Sequence, residues 1–121
     1  MRHLLVVEDN PNTLSGLVTL LGDEGYDVDG VMQGTEALAI AEEKPIDMVL
    51  CDFNLPDTNG LQVCQRLRKI NPEAIFFLTT AQDSTALTDS AYEYGVKRIF
   101  QKPIDMDDLF DTLLGFSKKL V

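Results

Sequence analysis

Met48-Val49-Leu50-Cys51-Asp52-Phe53-Asn54-Leu55-Pro56-Asp57-Thr58-Asn59-Gly60 decides how this chain folds. Four apolar residues in succession end on an acid, and a run of turn formers follows at once. Apolar side chains at consecutive positions suit a strand covered on both faces. Leu61, Cys64 and Leu67 then recur at helical spacing until Asn71-Pro72. The stretch therefore reads as strand, loop and helix, with a carboxylate fixed where the strand stops.

The same alternation continues in both directions. Leu4-Leu5-Val6-Val7 leads to Glu8 and Asp9, Ile75-Phe76-Phe77-Leu78 to Thr79 and Thr80, and Ile99-Phe100-Gln101 to Lys102-Pro103. A weaker strand covers residues 26–31. Asn10 as N-cap and Pro11 at the first helical position open a helix with Leu14, Leu17, Val18 and Leu21 inward, and Gly25 stops it. A second helix is expected over 35–43, with Ala37, Ile40 and Ala41 inward and Pro45 beyond its end. Another runs from Ser84 to Tyr94, capped by Gly95, and a last one carries Leu109, Leu113, Phe116 and Leu120 on one face. Asp105 and Asp108 read as caps of that final helix and nothing more.

Five strands alternating with five helices predict an α/β fold, a doubly wound parallel sheet joined by right-handed crossovers. Ligands of such open sheets bind beyond the carboxyl ends of the strands, where the strand order reverses. No linker, repeat or low-complexity segment interrupts the pattern, so one domain over residues 1–121 is expected. A chain of 121 residues with 45% hydrophobic content can bury one core without staples.

Composition excludes several functions. A formal charge of −10 argues against direct contact with nucleic acid, whose phosphates select clustered Lys and Arg. No apolar run approaches the roughly 20 residues of a membrane span. Met1-Arg2-His3, four apolar residues and then Glu8-Asp9 make no secretory signal, so a cytoplasmic protein is expected. Cys51 and Cys64 lack zinc spacing and read as reduced core residues. With His3 the single histidine, neither a Cys/His metal cluster nor a Ser-His-Asp triad can be assembled.

Parallel strands would bring Glu8, Asp9, Asp52, Thr79, Thr80 and Lys102 to one sheet edge. Three carboxylates gathered there repel one another, and a cation relieves the repulsion. An all-oxygen donor set selects a hard ion, which a partly hydrated Mg²⁺ fits best. Asp52, held behind a buried run, can serve as a metal ligand or as a nucleophile toward phosphorus. Lys102 supplies a compact charge for a phosphoryl oxygen, and Thr79 or Thr80 a hydroxyl. Taken singly, each residue has a plainer reading as a turn former, a helix start or an exposed lysine. Matching chemistry at four strand ends favours phosphoryl transfer, which asks mainly for positioning and charge neutralisation.

These motifs together resemble the receiver domains of two-component response regulators. The carriers are Val6-Val7-Glu8-Asp9-Asn10, Asp52 through Gly60, Leu78-Thr79-Thr80-Ala81 and Lys102-Pro103. The resemblance implies a flavodoxin-like sheet in the order 2-1-3-4-5. It implies that Asp52 accepts a phosphoryl group from a phosphohistidine on a sensor kinase or phosphotransfer protein. Glu8, Asp9, Asp52 and the backbone carbonyl of Asn54 would bind Mg²⁺. Thr80 would be the switch hydroxyl, Lys102 would contact the phosphoryl group, and the bond before Pro103 is commonly cis in this family. Phosphorylation would draw Thr80 inward and alter the face built from the fourth helix, fifth strand and fifth helix, for an output domain, a downstream protein or a homodimer.

One position departs from that pattern. Ile99 stands where the family often carries Tyr or Phe, and the adjacent Phe100 points to the opposite face of the strand. Phosphoryl chemistry is therefore expected intact, with altered coupling to the output face. Two other readings compete. A receiver-like module that binds partners without phosphorylation has no need of the complete set of site residues. An aspartyl-nucleophile phosphatase of the haloacid dehalogenase type uses Asp-x-Asp, whereas Asp52-Phe53-Asn54 places an amide where the general acid belongs. Nothing beyond the fifth helix except Lys118-Lys119-Leu120-Val121 is present, so no effector domain is expected within these residues.

Overall fold

A computed structural model describes residues 2–82 and 85–119. Its elements run β1 (His3–Val7), α1 (Pro11–Asp23), β2 (Asp27–Val31), α2 (Gly34–Glu43), β3 (Met48–Asp52), α3 (Gly60–Ile70), β4 (Ile75–Thr80), α4 (Thr85–Glu93), β5 (Arg98–Gln101) and α5 (Met106–Lys119). All strand pairs are parallel, in the order β2-β1-β3-β4-β5, as the α/β reading anticipated. The order reverses between β1 and β3, and the polar strand ends meet at that switch point.

β1 and β3 are buried along their whole length, and β4 from Phe76 onward. Leu4, Leu5 and Val6 of β1, Met48, Val49 and Cys51 of β3, and Phe77 and Leu78 of β4 are all inaccessible to solvent. Successive side chains feed two cores, as alternation across a strand requires. Leu5, Val7, Val49, Cys51, Phe76 and Leu78 join Ala37 and Ala41 of α2, Val63 and Leu67 of α3 and Ala91 of α4. Leu4, Val6, Met48, Leu50 and Phe77 join Leu17 and Leu21 of α1 and Leu109 and Leu113 of α5. Ile99 packs against the first core and Phe100 lies in the second, so the two do face opposite ways.

Local signals set most boundaries. The Asn10 side chain accepts the amides of Asn12 and Thr13, with Pro11 opening α1. Gly25 and Gly95 sit at positive φ just past α1 and α4. The start of α4 at Ser84 and the packing of Leu120 lie outside the described residues, and Lys118 and Lys119 belong to α5 instead of following it.

Asp105 caps α5 as expected, accepting the Asp108 amide at 3.2 Å. Asp108, expected only to cap, holds an ion pair. Its carboxylate takes both arms of the Arg98 guanidinium, one at 2.6 Å, and Arg98 also reaches Thr112 Oγ1 at 2.7 Å. Arg98 lies ten residues upstream and is brought there only by the packing of α5 on β5, so local sequence hides the pair. Cys51 and Cys64 are buried free thiols, as predicted. Hydrogen bonding to Cys64 and then burial push the Cys51 thiol well above its ordinary range, which keeps it protonated. Among the described residues no helix is long and apolar enough to cross a membrane.

Candidate functional site

Register explains why residues so far apart in sequence converge. Val7 pairs with Cys51, so Glu8 leaves β1 beside Asp52, and Asp52 in turn pairs with Thr79. Pairing continues past the strands, with Glu8 N donating to Val31 O, Phe53 N to Thr79 O and Lys102 N to Thr80 O. Backbone hydrogen bonds on both sides thus fix the Cα atoms from which the polar side chains project.

Carboxylate oxygens of Glu8, Asp9 and Asp52 all lie within 4.8 Å of one another. Glu8 and Asp52 are buried, at 2% and 4% exposure, while Asp9 faces solvent. At that separation each pair of unit charges repels by roughly 3 kcal/mol for an effective dielectric of about 20. Lys102 is placed to touch two of the three carboxylates. Its Nζ sits 2.6 Å from Asp52 Oδ2 and 2.8 Å from Glu8 Oε1. Burial pulls the Lys102 ammonium toward neutrality, but the hydrogen bonds to Asp52 and Glu8 outweigh it and raise its pKa above 10.5. Among the described residues, three carboxylates against one ammonium leave an excess of two negative charges in a small, half-buried space.

The remaining oxygens are held by backbone. Glu8 Oε2 accepts the Asn10 amide at 3.0 Å, and Asp52 Oδ1 accepts the Asn54 amide at 3.1 Å. The second bond sets the backbone of residue 54 directly against the Asp52 carboxylate. Gly60, at the start of α3, is part of this arrangement. A Cβ there would come within 2.3 Å of the Asp52 carbonyl oxygen, so only glycine lets the helix approach so closely. Thr79 and Thr80 are buried at the end of β4, and Thr80 Oγ1 accepts the Gln82 amide at 3.0 Å. The Lys102-Pro103 bond is cis.

The structure therefore brings Glu8, Asp9, Asp52 and Lys102 together, sets Asn54 against Asp52, and leaves Thr80 buried at the end of β4 with its hydroxyl accepting the Gln82 amide. The donor set is oxygen only and carries surplus negative charge, which fits a hard divalent cation and no soft one. Sequence reading missed Asp57, which crosses to α2 and accepts the amides of Gly34 and Thr35 at 3.1 Å each. The available signal was negative: Gln33, before α2, makes no side-chain cap.

Comparisons with known proteins bear on this geometry. The family model described as Response regulator receiver domain matches residues 4–114. The Transcriptional regulatory protein GlrR of Escherichia coli (strain K12) is 31% identical over 111 residues, covering 92% of this chain and 25% of its own length. The Transcriptional regulatory protein TcrA of Mycobacterium tuberculosis is 32% identical over 117 residues, covering 97% of this chain and 46% of its own length. The chain thus spans between a quarter and just under half of these curated relatives. In fold it is similar to a response regulator receiver domain protein (CheY-like) from Methanospirillum hungatei JF-1, with a TM-score of 0.93 at 24% identity over 98% of this chain and 95% of that one.

Proposed function

This chain belongs to the response regulator receiver domain family of two-component systems, and from that premise we propose that Asp52 is its phosphoacceptor and that the reaction depends on Mg²⁺. The observation that carries the reading is the surplus of carboxylate at one sheet edge, with a single ammonium touching both buried acids. Glu8, Asp9, Asp52 and the backbone carbonyl of Asn54 would hold the cation. When bound, Mg²⁺ neutralises charge that develops on the phosphoryl oxygens.

The residues of the chain do the rest. An oxygen of Asp52 attacks phosphorus, the bond from phosphorus to the donor imidazole nitrogen breaks, and that nitrogen keeps the electron pair. The buried backbone of β3 and the Asn54 amide hold the nucleophile in one orientation, which lowers the cost of alignment. Lys102 stays beside Asp52 and moves its charge onto a phosphoryl oxygen as the acyl phosphate forms. Thr80 would exchange the Gln82 amide for that phosphoryl group, carrying the following loop with it. In this reading the chain assists its own phosphorylation and dephosphorylation and is not a turnover enzyme on an external substrate.

The face of α4, β5 and α5 would then carry the signal to an output domain, a partner protein or a second copy of the chain. Ile99 gives that face no aromatic ring to swing inward, so the site's chemistry and its readout are separable. The phosphoryl donor would be a cytoplasmic sensor kinase or phosphotransfer protein. Incubation with Mg²⁺ and acetyl phosphate should add the mass of one phosphoryl group, and Asp52→Asn should abolish the gain. Labelling that survives the substitution would place the acceptor elsewhere.

A further inference from the structure

The loop between β3 and α3 is closed at its base. Gly60 N donates to Phe53 O at 2.6 Å, Asn54 and Asn59 form an antiparallel bridge, and Leu55 N donates to Thr58 O at 3.2 Å. Its outer turn leans on α2, more than twenty residues earlier in the chain. There Asp57 Oδ1 accepts Gly34 N and Oδ2 accepts Thr35 N, both at 3.1 Å. These amides open α2 and find no partner on the Gln33 side chain. One carboxylate from the acceptor loop therefore satisfies both of them.

The seam is also tight sterically. A Cβ at Gly34 would lie 2.8 Å from Val63 Cγ2 and 2.9 Å from Thr58 Cγ2, so glycine lets α2 and the loop meet. Hydrogen bonds from Gly34 first, against a smaller opposing effect of burial, hold the Asp57 carboxyl below 3.8. It is thus ionised, and a carboxylate at a helix N-terminus bonds more strongly than a neutral acceptor.

We propose that Asp57 is a positioning residue for the cation site, clamping the acceptor loop onto α2 so that Asn54 is held beside Asp52. This rests on the reading of Asn54 as a metal ligand. Asp57 touches neither cation nor phosphoryl group. It acts through three residues of backbone, as outer-shell partners orient the ligands of other metal sites. A carboxylate that only capped α2 would contribute stability and nothing to the cation.

Calorimetric titration of the full chain with Mg²⁺ separates the two roles. Asp57→Ala should weaken Mg²⁺ binding by about tenfold, as loss of outer-shell support does elsewhere. Asp57→Asn keeps one acceptor oxygen and should fall between that variant and the original chain. Gly34→Ala, which forces the seam apart, should weaken binding in the same direction. Ala41→Gly destabilises α2 away from the loop, so it should lower the thermal midpoint with Mg²⁺ affinity within about twofold of the original. Amide hydrogen exchange at Asn54 and Leu55, followed without metal, should quicken in Asp57→Ala and not in Ala41→Gly. If Asp57→Ala lowers the midpoint while Mg²⁺ affinity and exchange at Asn54 stay unchanged, Asp57 is a cap and the proposal is wrong. Failure of the original chain to bind Mg²⁺ at all would instead overturn the proposed function.

Discussion

The two ends of β1 both carry polar groups, and they are built on opposite terms. At its start, His3 Nε2 lies 2.6 Å from Asp29 Oδ2 and Nδ1 lies 2.8 Å from the Pro45 carbonyl oxygen. Lys44 Nζ reaches the same Asp29 oxygen at 2.8 Å, and Asp47 Oδ2 accepts the His3 amide at 2.8 Å. Asp29 there faces both the His3 ring and the Lys44 ammonium, and Asp47 holds the His3 amide. Past the other end, Glu8 and Asp52 share Lys102, and Asp9 adds a third carboxylate within 4.8 Å of them. A balanced cluster holds strands and loops together. An unbalanced one is held in place by the fold and, in the proposed function, would be completed by a cation. Removing a carboxylate should therefore lower stability at one end of β1 and cation affinity at the other.

Asp9→Asn gives the sharpest contrast. Because Asp9 is exposed and adds to the surplus charge, the amide should weaken Mg²⁺ binding by about tenfold or more while the metal-free thermal midpoint stays level or rises. A fall in the metal-free midpoint would mean that the cluster is structural after all. Asp29→Ala should do the reverse, with about 1 kcal/mol lost in urea unfolding and Mg²⁺ affinity unchanged. Coupling between Asp29 and the cation would break the division between the two ends.

Acid should erase the Asp29 effect. The Lys44 hydrogen bond first, opposed by partial burial and aided by His3, holds the Asp29 carboxyl below 3.8. A carboxyl whose folded pKa is depressed adds stability above its unfolded pKa and loses it as pH falls through the folded value. The difference between the original chain and Asp29→Ala should thus be full near neutrality and shrink below pH 3.8. A gap unchanged at pH 3 would show that packing, not charge, is what the substitution removes. The smallest effect belongs to Lys44→Ala: its ammonium is largely exposed, and unfolding curves should barely separate.

The same contrast explains what the sequence made legible. β1, β3 and β4 are apolar at consecutive positions because helices cover both faces, so their ends, and the site residues there, can be found by inspection. β2 reads weakly because Asp27–Val31 is an edge strand buried mainly at Val31. What stayed hidden depends on contacts through space. The start of α2 at Gly34 is set by Asp57, and the ion pair of Asp108 is set by Arg98; neither partner is a near neighbour in sequence. Local caps such as Asn10 and Asp105 were readable, and tertiary ones were not.

A residue-resolved Mg²⁺ titration followed by amide chemical shifts distinguishes a completed cation site from an acidic surface. Saturable shifts should gather at Glu8 to Asn10, Asp52 to Asn54 and Lys102 and be absent in Asp52→Asn, with His3, Asp29 and Asp47 unmoved. Shifts spread over the acidic surface without saturation, or centred on the His3 end, would contradict it.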